Sequence, residues 1–361
     1  MIQILKTTQP CLNIHVGYKA KQVIEEQGLQ ASAVDFVPGA AGGPKGIGIQ
    51  GLDQAVFGEF FAQAPKKRTL IGSSIGSWRF ASIAAHGAQA GTSKLADLYT
   101  HLEFRPKMNI IEVGDVCRGM LKALLQGKTN QIIDHPDYHL AILSVKSSKK
   151  FQSDHPLMLA RAVAGIIGLN TFSRAKIGHF MQRTIAQPHN ASRLSLIKNE
   201  FEHLDYALTE KNLEDWLMAS ASIPFLMPAV RNIEGADVAA YRDGGLIDYH
   251  IDLPLPSHGI VLYPHFTDQI TPGWFDKFLK KRRSNAEYQA RTVLISPSES
   301  YLRSLPLGRL PDRKDFTLKG LDQKKRIELW KQSVAESQRL GDAFLEMIHK
   351  QNFEEYMQDL K

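Results

Sequence analysis

The chain reads as an α/β protein, and three observations carry that reading. Short apolar, strand-like runs alternate with glycine loops and helix-like runs through about residue 150, as when strands feed crossover helices. A G-x-S-x-G segment, Gly72-Ser73-Ser74-Ile75-Gly76, falls at one of the strand-to-helix junctions. With 361 residues, 43% of them hydrophobic, the chain can bury one large core or two smaller ones.

In chain order, residues 33–38 form the first expected strand, 39–46 a loop with four glycines, and 47–61 an apolar-rich helix. Residues 68–71 read as a short buried strand and 78–85 as the helix that follows the elbow. Helical patterns return at 114–126 and 155–168, on either side of a strand at 138–145. Residues 155–215 are expected to cap the site, and Asn212 to start a helix over 212–220. A late strand is expected at 291–296, a Pro- and Arg-rich loop at 304–314, and a long helix over 323–350, interrupted at Gly341. The plan is an N-terminal segment (1–32), a catalytic domain (33–300) and a C-terminal helical extension (301–361), without internal repeats.

In the elbow, two glycines let the chain turn sharply from strand to helix, so that Ser74 projects its hydroxyl at the helix N-terminus as a candidate nucleophile. The plainer alternative is that Ser74 only caps a helix. The upstream loop favours chemistry. A glycine loop at a helix start aims unpaired N–H groups at one point, as a developing oxyanion requires; Pro44 has no N–H, which leaves Gly42, Gly43, Lys45 and Gly46 as donors.

Two nucleotide-binding readings of this loop are weaker. Gly46-Ile47-Gly48-Ile49-Gln50-Gly51 matches G-x-G-x-x-G, but the stretch about 20 residues on, Lys66-Lys67-Arg68-Thr69-Leu70-Ile71, offers no carboxylate for a ribose hydroxyl. A phosphate loop would need Ser or Thr after Lys45, where Gly46 stands.

Taken together, Gly42-Gly43-Pro44-Lys45-Gly46, the elbow, and Asp243-Gly244-Gly245 resemble, in that order, the patatin-like phospholipases, lipid acyl hydrolases that use a Ser-Asp dyad. Residues 219–228, Ala-Ser-Ala-Ser-Ile-Pro-Phe-Leu-Met-Pro, resemble the stretch that precedes the family's Asp-Gly-Gly strand, and the likeness spans about residues 33–255. It implies a three-layer α/β/α sandwich with a mostly parallel sheet, Ser74 as nucleophile, Asp243 as base, and an oxyanion hole from Gly42 and Gly43 with Lys45 at the family's Arg/Lys position. Three departures stand out: Ala41 for a third glycine, Ile75 for a small alanine, and Trp78 in the first turn after the elbow. Ile75 and Trp78 are expected to narrow the acyl pocket.

The chemistry is coherent from the residues upward. A serine hydroxyl is a poor nucleophile until a base accepts its proton, and burial can raise a carboxylate's pKa toward neutrality for that task. Asp243 follows strand-like residues 238–241, although Asp-Gly is also a common turn pair. Among 13 histidines, His258 and His265 are candidates for a conventional triad, but neither stands in a diagnostic motif. Asp248 and His250 are candidates for the mouth of the site. No metal or other cofactor is expected, since Cys11 and Cys117 are the only cysteines and no His/Cys pair has zinc spacing.

Two distant cysteines and an N-terminus, residues 1–8, without a long apolar core suggest a cytoplasmic protein, in which the sequon Asn190-Ala191-Ser192 stays unmodified. No run approaches the roughly 18 apolar residues of a membrane span. Arg174, Lys176, His179 and Arg183 on an expected helix after residues 160–169 form a basic amphipathic segment, suited to anionic lipid or simply to solvent. The net charge of +7, from 44 basic and 37 acidic residues, is modest; its densest sources are Lys277, Lys280, Lys281, Arg282 and Arg283, then Lys324, Lys325 and Arg326. Without interleaved aromatic residues these do not suggest nucleic acid, and peripheral contact with an anionic membrane fits better. The expected function is hydrolysis of a lipid carboxylic ester through an acyl-Ser74 intermediate; the alternative is a catalytically weak lipid- or partner-binding protein on the same scaffold.

Overall fold

The computed structural model describes residues 10–190, 193–279 and 281–360. The N-terminal stretch 1–8, two residues of the sequon and Lys280 lie outside the described residues.

Among the described residues ten strands form one mixed, mostly parallel sheet, which makes the chain α/β. They are β1 (Leu12–Val16), β2 (Val34–Gly39), β3 (Arg68–Ser73), β4 (Tyr138–Ser147), β5 (Met181–Gln187), β6 (His203–Ala207), β7 (Tyr241–Asp243), β8 (Ile260–Pro264), β9 (Thr292–Pro297) and β10 (Met357–Asp359). Their order across the sheet is β10-β1-β9-β8-β2-β3-β4-β5-β6, with β7 paired to β4. The antiparallel pairs are β1 with β9, β4 with β5 and β4 with β7.

Alternation along the central strands sends side chains to two different cores. Val37, Leu70, Leu140 and Ile142 join the main cluster, which takes in the helices Ile75–His86, Ile110–Leu125 and Leu213–Ala221 and, from the C-terminal part, Trp330 and Phe344. Burying each such large apolar side chain contributes about 1.5–3 kcal/mol. Phe36, Ile71, Ala141 and Leu143 point the other way, where Leu194, Leu196, Ile251 and Leu253 cover them from irregular segments; that cluster draws on no helix. Val145, of the same parity as Leu143, instead meets the helix Pro156–Phe172 through Leu159, Ala162 and Ile166. One face thus carries most of the helices, and the other carries extended cover plus that one helix.

Several expected elements change shape. The run 47–61 is helical but not one α-helix: a 3₁₀ segment Gly43–Ile49 leads into α-helix Gln50–Gln54 and a π-helical turn Ala55–Phe60. The helix expected from 114 begins at Ile110, because Asn109 and Glu112 close a capping box that hydropathy does not reveal. The strand-like 238–241 shrinks to β7, and Val238 is exposed. The long C-terminal helix breaks at Ser337, whose hydroxyl accepts the Gly51 N–H at 3.0 Å. Gly341 lies within the second piece, where a Cβ would come 2.4 Å from the Gly51 carbonyl; the glycine serves close helix packing instead of a break.

The flanking segments are built into the sheet. β1 pairs with β9 and β10, so residues 1–32 and 301–361 each contribute a strand to the same sheet as the 33–300 region. Residues 155–215 divide between the helix Pro156–Phe172 and the strands β5 and β6, so only part of the stretch covers the site. The basic amphipathic helix does not form: Arg183 lies on β5 with its guanidinium paired to Asp248 at 2.7 Å, and Arg174 pairs with Asp276 at 3.2 Å. Both side chains are buried and saturated, which removes them from any lipid-facing surface. Arg326 is likewise buried, donating to the Thr100 and Leu102 carbonyls.

Candidate active site

The register along β4 brings Ser74 and Asp243 together. β3 runs parallel to its first half and ends with Ser73 opposite Leu143, while β7 runs antiparallel to its second half and ends with Asp243 opposite Ser144. Two strands thus meet head-on along one edge of β4, with Ser74 one residue beyond the end of β3. The Ser74 hydroxyl donates to Asp243 Oδ2 at 2.9 Å, with both side chains buried.

The elbow holds Ser74 at φ +55° and ψ −125°, a left-handed conformation that a non-glycine residue adopts at a cost of about 1–3 kcal/mol. Close packing enforces it. A Cβ on Gly76 would fall 2.0 Å from the Gly39 carbonyl, so no other residue lets the helix Ile75–His86 seat against the end of β2. Ser220 braces the turn from below: its hydroxyl accepts the Ser74 N–H at 2.8 Å, donates to the Leu143 carbonyl at 2.6 Å and touches the Ser77 hydroxyl at 3.0 Å. Arg79, on the elbow helix, donates to Asp53 at 2.9 Å and so ties that helix to the segment after the glycine loop.

Asp243 is fixed from three directions. Its N–H donates to the Ser222 carbonyl at 3.0 Å, its Oδ1 accepts the Gly245 N–H at 2.7 Å, and the neighbouring Arg242 is anchored to Asp154 at 2.7 Å. Burial pushes its pKa up to about 6, against the pull of Arg313, the Gly245 N–H and the Ser74 hydroxyl. That value suits a general base working near neutrality.

Across from the elbow, Ala41 donates its N–H to the Tyr249 carbonyl, and the 3₁₀ segment begins at Gly43. A 3₁₀ turn returns its bonds from i+3 to i, so N–H groups from Lys45 onward enter the helix ladder while those of Gly42 and Gly43 precede it. Among the described residues neither of those two donates its N–H to another protein group. Gly43 takes φ +58°, which glycine allows without strain. The Lys45 ammonium lies 3.7 Å from Asp312 and over the Phe266 ring.

Two cavities meet at this point. The larger, about 510 Å³, is lined by Ser74 and mostly by apolar side chains including Ile75, Trp78, Phe104, Val113, Met120 and Phe316, with Arg105, Lys107 and Arg313 also on its lining. Ile75 and Trp78 therefore wall this space without closing it, and the Trp78 ring is held by a 2.9 Å bond from Nε1 to the Leu217 carbonyl. The smaller, about 170 Å³, is lined by Gly42, Lys45, Asp243, Tyr249, Lys277 and Arg313 among others. Arg313 borders both cavities, with its guanidinium so close to Gly43 that a Cβ there would lie 2.9 Å from Nε.

The other candidates fall elsewhere. His265 is buried among Tyr263, His250 and Phe266, and burial drives its pKa down to about 3, so it stays neutral. His258 precedes β8 next to Gly259, which abuts Ala33 at the start of β2, the end of the sheet opposite the glycine loop. Asp248 is consumed by Arg183, and His250 is buried against Tyr249; neither reaches the mouth. Among the described residues no three His, Cys, Asp or Glu side chains gather as a metal site would require. Sequence reasoning missed Ser220, Lys277 and Arg313. Lys277 stood in a basic run and Arg313 in an Arg-rich loop, and nothing local to either distinguishes it from a solvated charge.

No protein-family model matches the chain, and a search of curated proteins finds no match.

Proposed function

We propose that the protein is a Ser-Asp acyl hydrolase of the patatin-like type, cleaving carboxylic esters of lipids without a histidine. The 2.9 Å bond from a strained, braced Ser74 to a buried carboxylate, beside an apolar cavity, carries this reading. Helices on both sides of β4, one set against Ile142 and one against Val145, support the patatin-like α/β/α layering that belongs to it.

In the first step the Ser74 oxygen bonds to the ester carbonyl carbon as its proton passes to Asp243, and the Gly42 and Gly43 N–H groups meet the oxyanion. Collapse breaks the bond to the alcohol oxygen, which leaves with the proton from Asp243. Water then adds to the acyl-serine, giving a proton to Asp243, and the acid departs as Ser74 recovers that proton. Free, partly buried Cys11 and Cys117 support a reducing, cytoplasmic setting, and no described helix is long and apolar enough to cross a membrane.

A fluorophosphonate probe tests the reading. Covalent labelling and nitrophenyl ester hydrolysis are expected in the wild type, and both are expected to vanish in Ser74→Ala with the circular dichroism spectrum unchanged. Hydrolysis persisting in Ser74→Ala would remove the nucleophile; no labelling or turnover in the wild type would leave a lipid-binding protein on this scaffold.

A further inference from the structure

Cations border both cavities, Arg105, Lys107 and Arg313 on the larger, but the smaller one sets its cations beside Gly42 and Asp243. Lys45, Lys277 and Arg313 face it, against the carboxylates of Asp243 and Asp312. Asp312 offsets Lys45, and Asp243 is engaged elsewhere, which leaves Lys277 and Arg313. Asp243 already accepts from Ser74 and Gly245, and Asp312 accepts the Lys314 N–H and lies 3.7 Å from Lys45. Among the described residues Lys277 and Arg313 have no carboxylate within ion-pair distance, and Arg313 has the Tyr99 hydroxyl beside it.

Lys277 carries the effect of this crowding of cations. The residue is exposed, and its ammonium lies over the Tyr249 ring at 3.7 Å from the centroid. Desolvation there, then repulsion from Lys45 and Arg313, brings its pKa down to about 7 despite the opposing pull of Asp243 and Asp312. A group that is hard to keep charged among other cations is one that a bound anion would stabilise.

Position assigns the anion to the substrate. With the acyl chain in the apolar cavity on one side of Ser74, the alcohol portion of the ester points to the other side, past Asp243. We propose that the smaller cavity is a head-group subsite, selecting esters whose alcohol portion carries a compact, net-negative group of the phosphate class. A zwitterionic head would carry its own cation toward Lys277 and Arg313, and a neutral acylglycerol would leave those two without an anionic partner. The subsite's place in catalysis rests on the hydrolase reading, but its anion binding does not.

Two measurements keep these apart. In Ser74→Ala, calorimetric titration with glycerol 3-phosphate is expected to show binding tighter than inorganic phosphate, weakened about tenfold or more by adding either Lys277→Gln or Lys45→Gln. In the wild type, kcat/KM for a 1-acylglycerol 3-phosphate is expected to exceed that for the matching 1-acylglycerol by about tenfold or more, with the ratio shrinking in Lys277→Gln. Absent or charge-independent binding of glycerol 3-phosphate would overturn the subsite. So would equal affinity for inorganic phosphate together with equal turnover of the two esters, which would mark a site for a free anion. Failure of turnover on every ester, with glycerol 3-phosphate still bound through Lys277, would sink the hydrolase reading and leave the anion site standing.

Discussion

The hydroxyl of Ser220 accepts the backbone N–H of Ser74 at 2.8 Å, from 146 residues further along the chain. This bond satisfies a buried donor in a strained turn, and Ser220 in turn donates to β4 through the Leu143 carbonyl. The serine at the end of the helix Leu213–Ala221 therefore fixes the height of the elbow above the sheet.

Ser220→Ala is expected to leave that N–H unpaired and destabilise the fold by about 1–3 kcal/mol. The relaxed elbow is expected to lower kcat about tenfold with KM little changed, since the bond orients Ser74 and does not touch substrate. Thermal melts and ester kinetics on the same preparation check both parts; an intact kcat would mean that packing around Gly76 alone holds the turn.

Asp243→Asn preserves the shape of the site and, through its one amide oxygen, the bond from the Gly245 N–H, but its NH2 group donates where Oδ2 accepted from Ser74 and cannot take a proton. A loss of roughly 10²-fold or more in kcat is expected, while His265→Asn, changing a neutral ring that hydrogen-bonds to Thr267 and to neither Ser74 nor Asp243, should lower it far less. Equal losses in the two variants would replace the dyad with a triad.

The pH profile follows from the raised pKa of Asp243. The carboxylate must be ionised to act, so kcat/KM is expected to climb as pH rises through about 6 and then level off. Stability runs the opposite way. Because the folded-state pKa lies above the unfolded value of 3.8, this group favours folding at low pH, and that advantage disappears as pH rises through about 6. At about 1.4 kcal/mol per pH unit the ionised group is a burden on the order of 3 kcal/mol, so Asp243→Asn is expected to raise Tm at pH 8 and not at pH 4.

Chain length should respond to the wall of the larger cavity. Met120→Trp fills part of the larger cavity and is expected to lower kcat/KM for long-chain nitrophenyl esters by about 10-fold to 100-fold, with the acetate ester affected far less. A uniform loss across chain lengths would show that acyl groups lie elsewhere.

Much of the site was written locally. The G-x-S-x-G elbow, the glycine loop and Asp243-Gly244-Gly245 are legible because each needs particular backbone freedom at particular positions, and that need constrains residue type wherever the segment ends up. Alternation of strands and helices gave the α/β class for the same reason, since periodicity reflects each segment's own exposure. Sequence by itself therefore singled out Ser74, Asp243, Gly42 and Gly43. Only the tertiary structure decided that β3 and β7 end opposite adjacent residues of β4, which is what turns two motifs 169 positions apart into a hydrogen-bonded pair. It also decided that Arg183 and Arg326 are buried while Lys277 and Arg313 converge on Gly42, Gly43 and Asp243. A charged side chain carries no mark of its partner in its own neighbourhood; whether it faces solvent, an ion pair or a cavity depends on which distant segment the fold lays beside it.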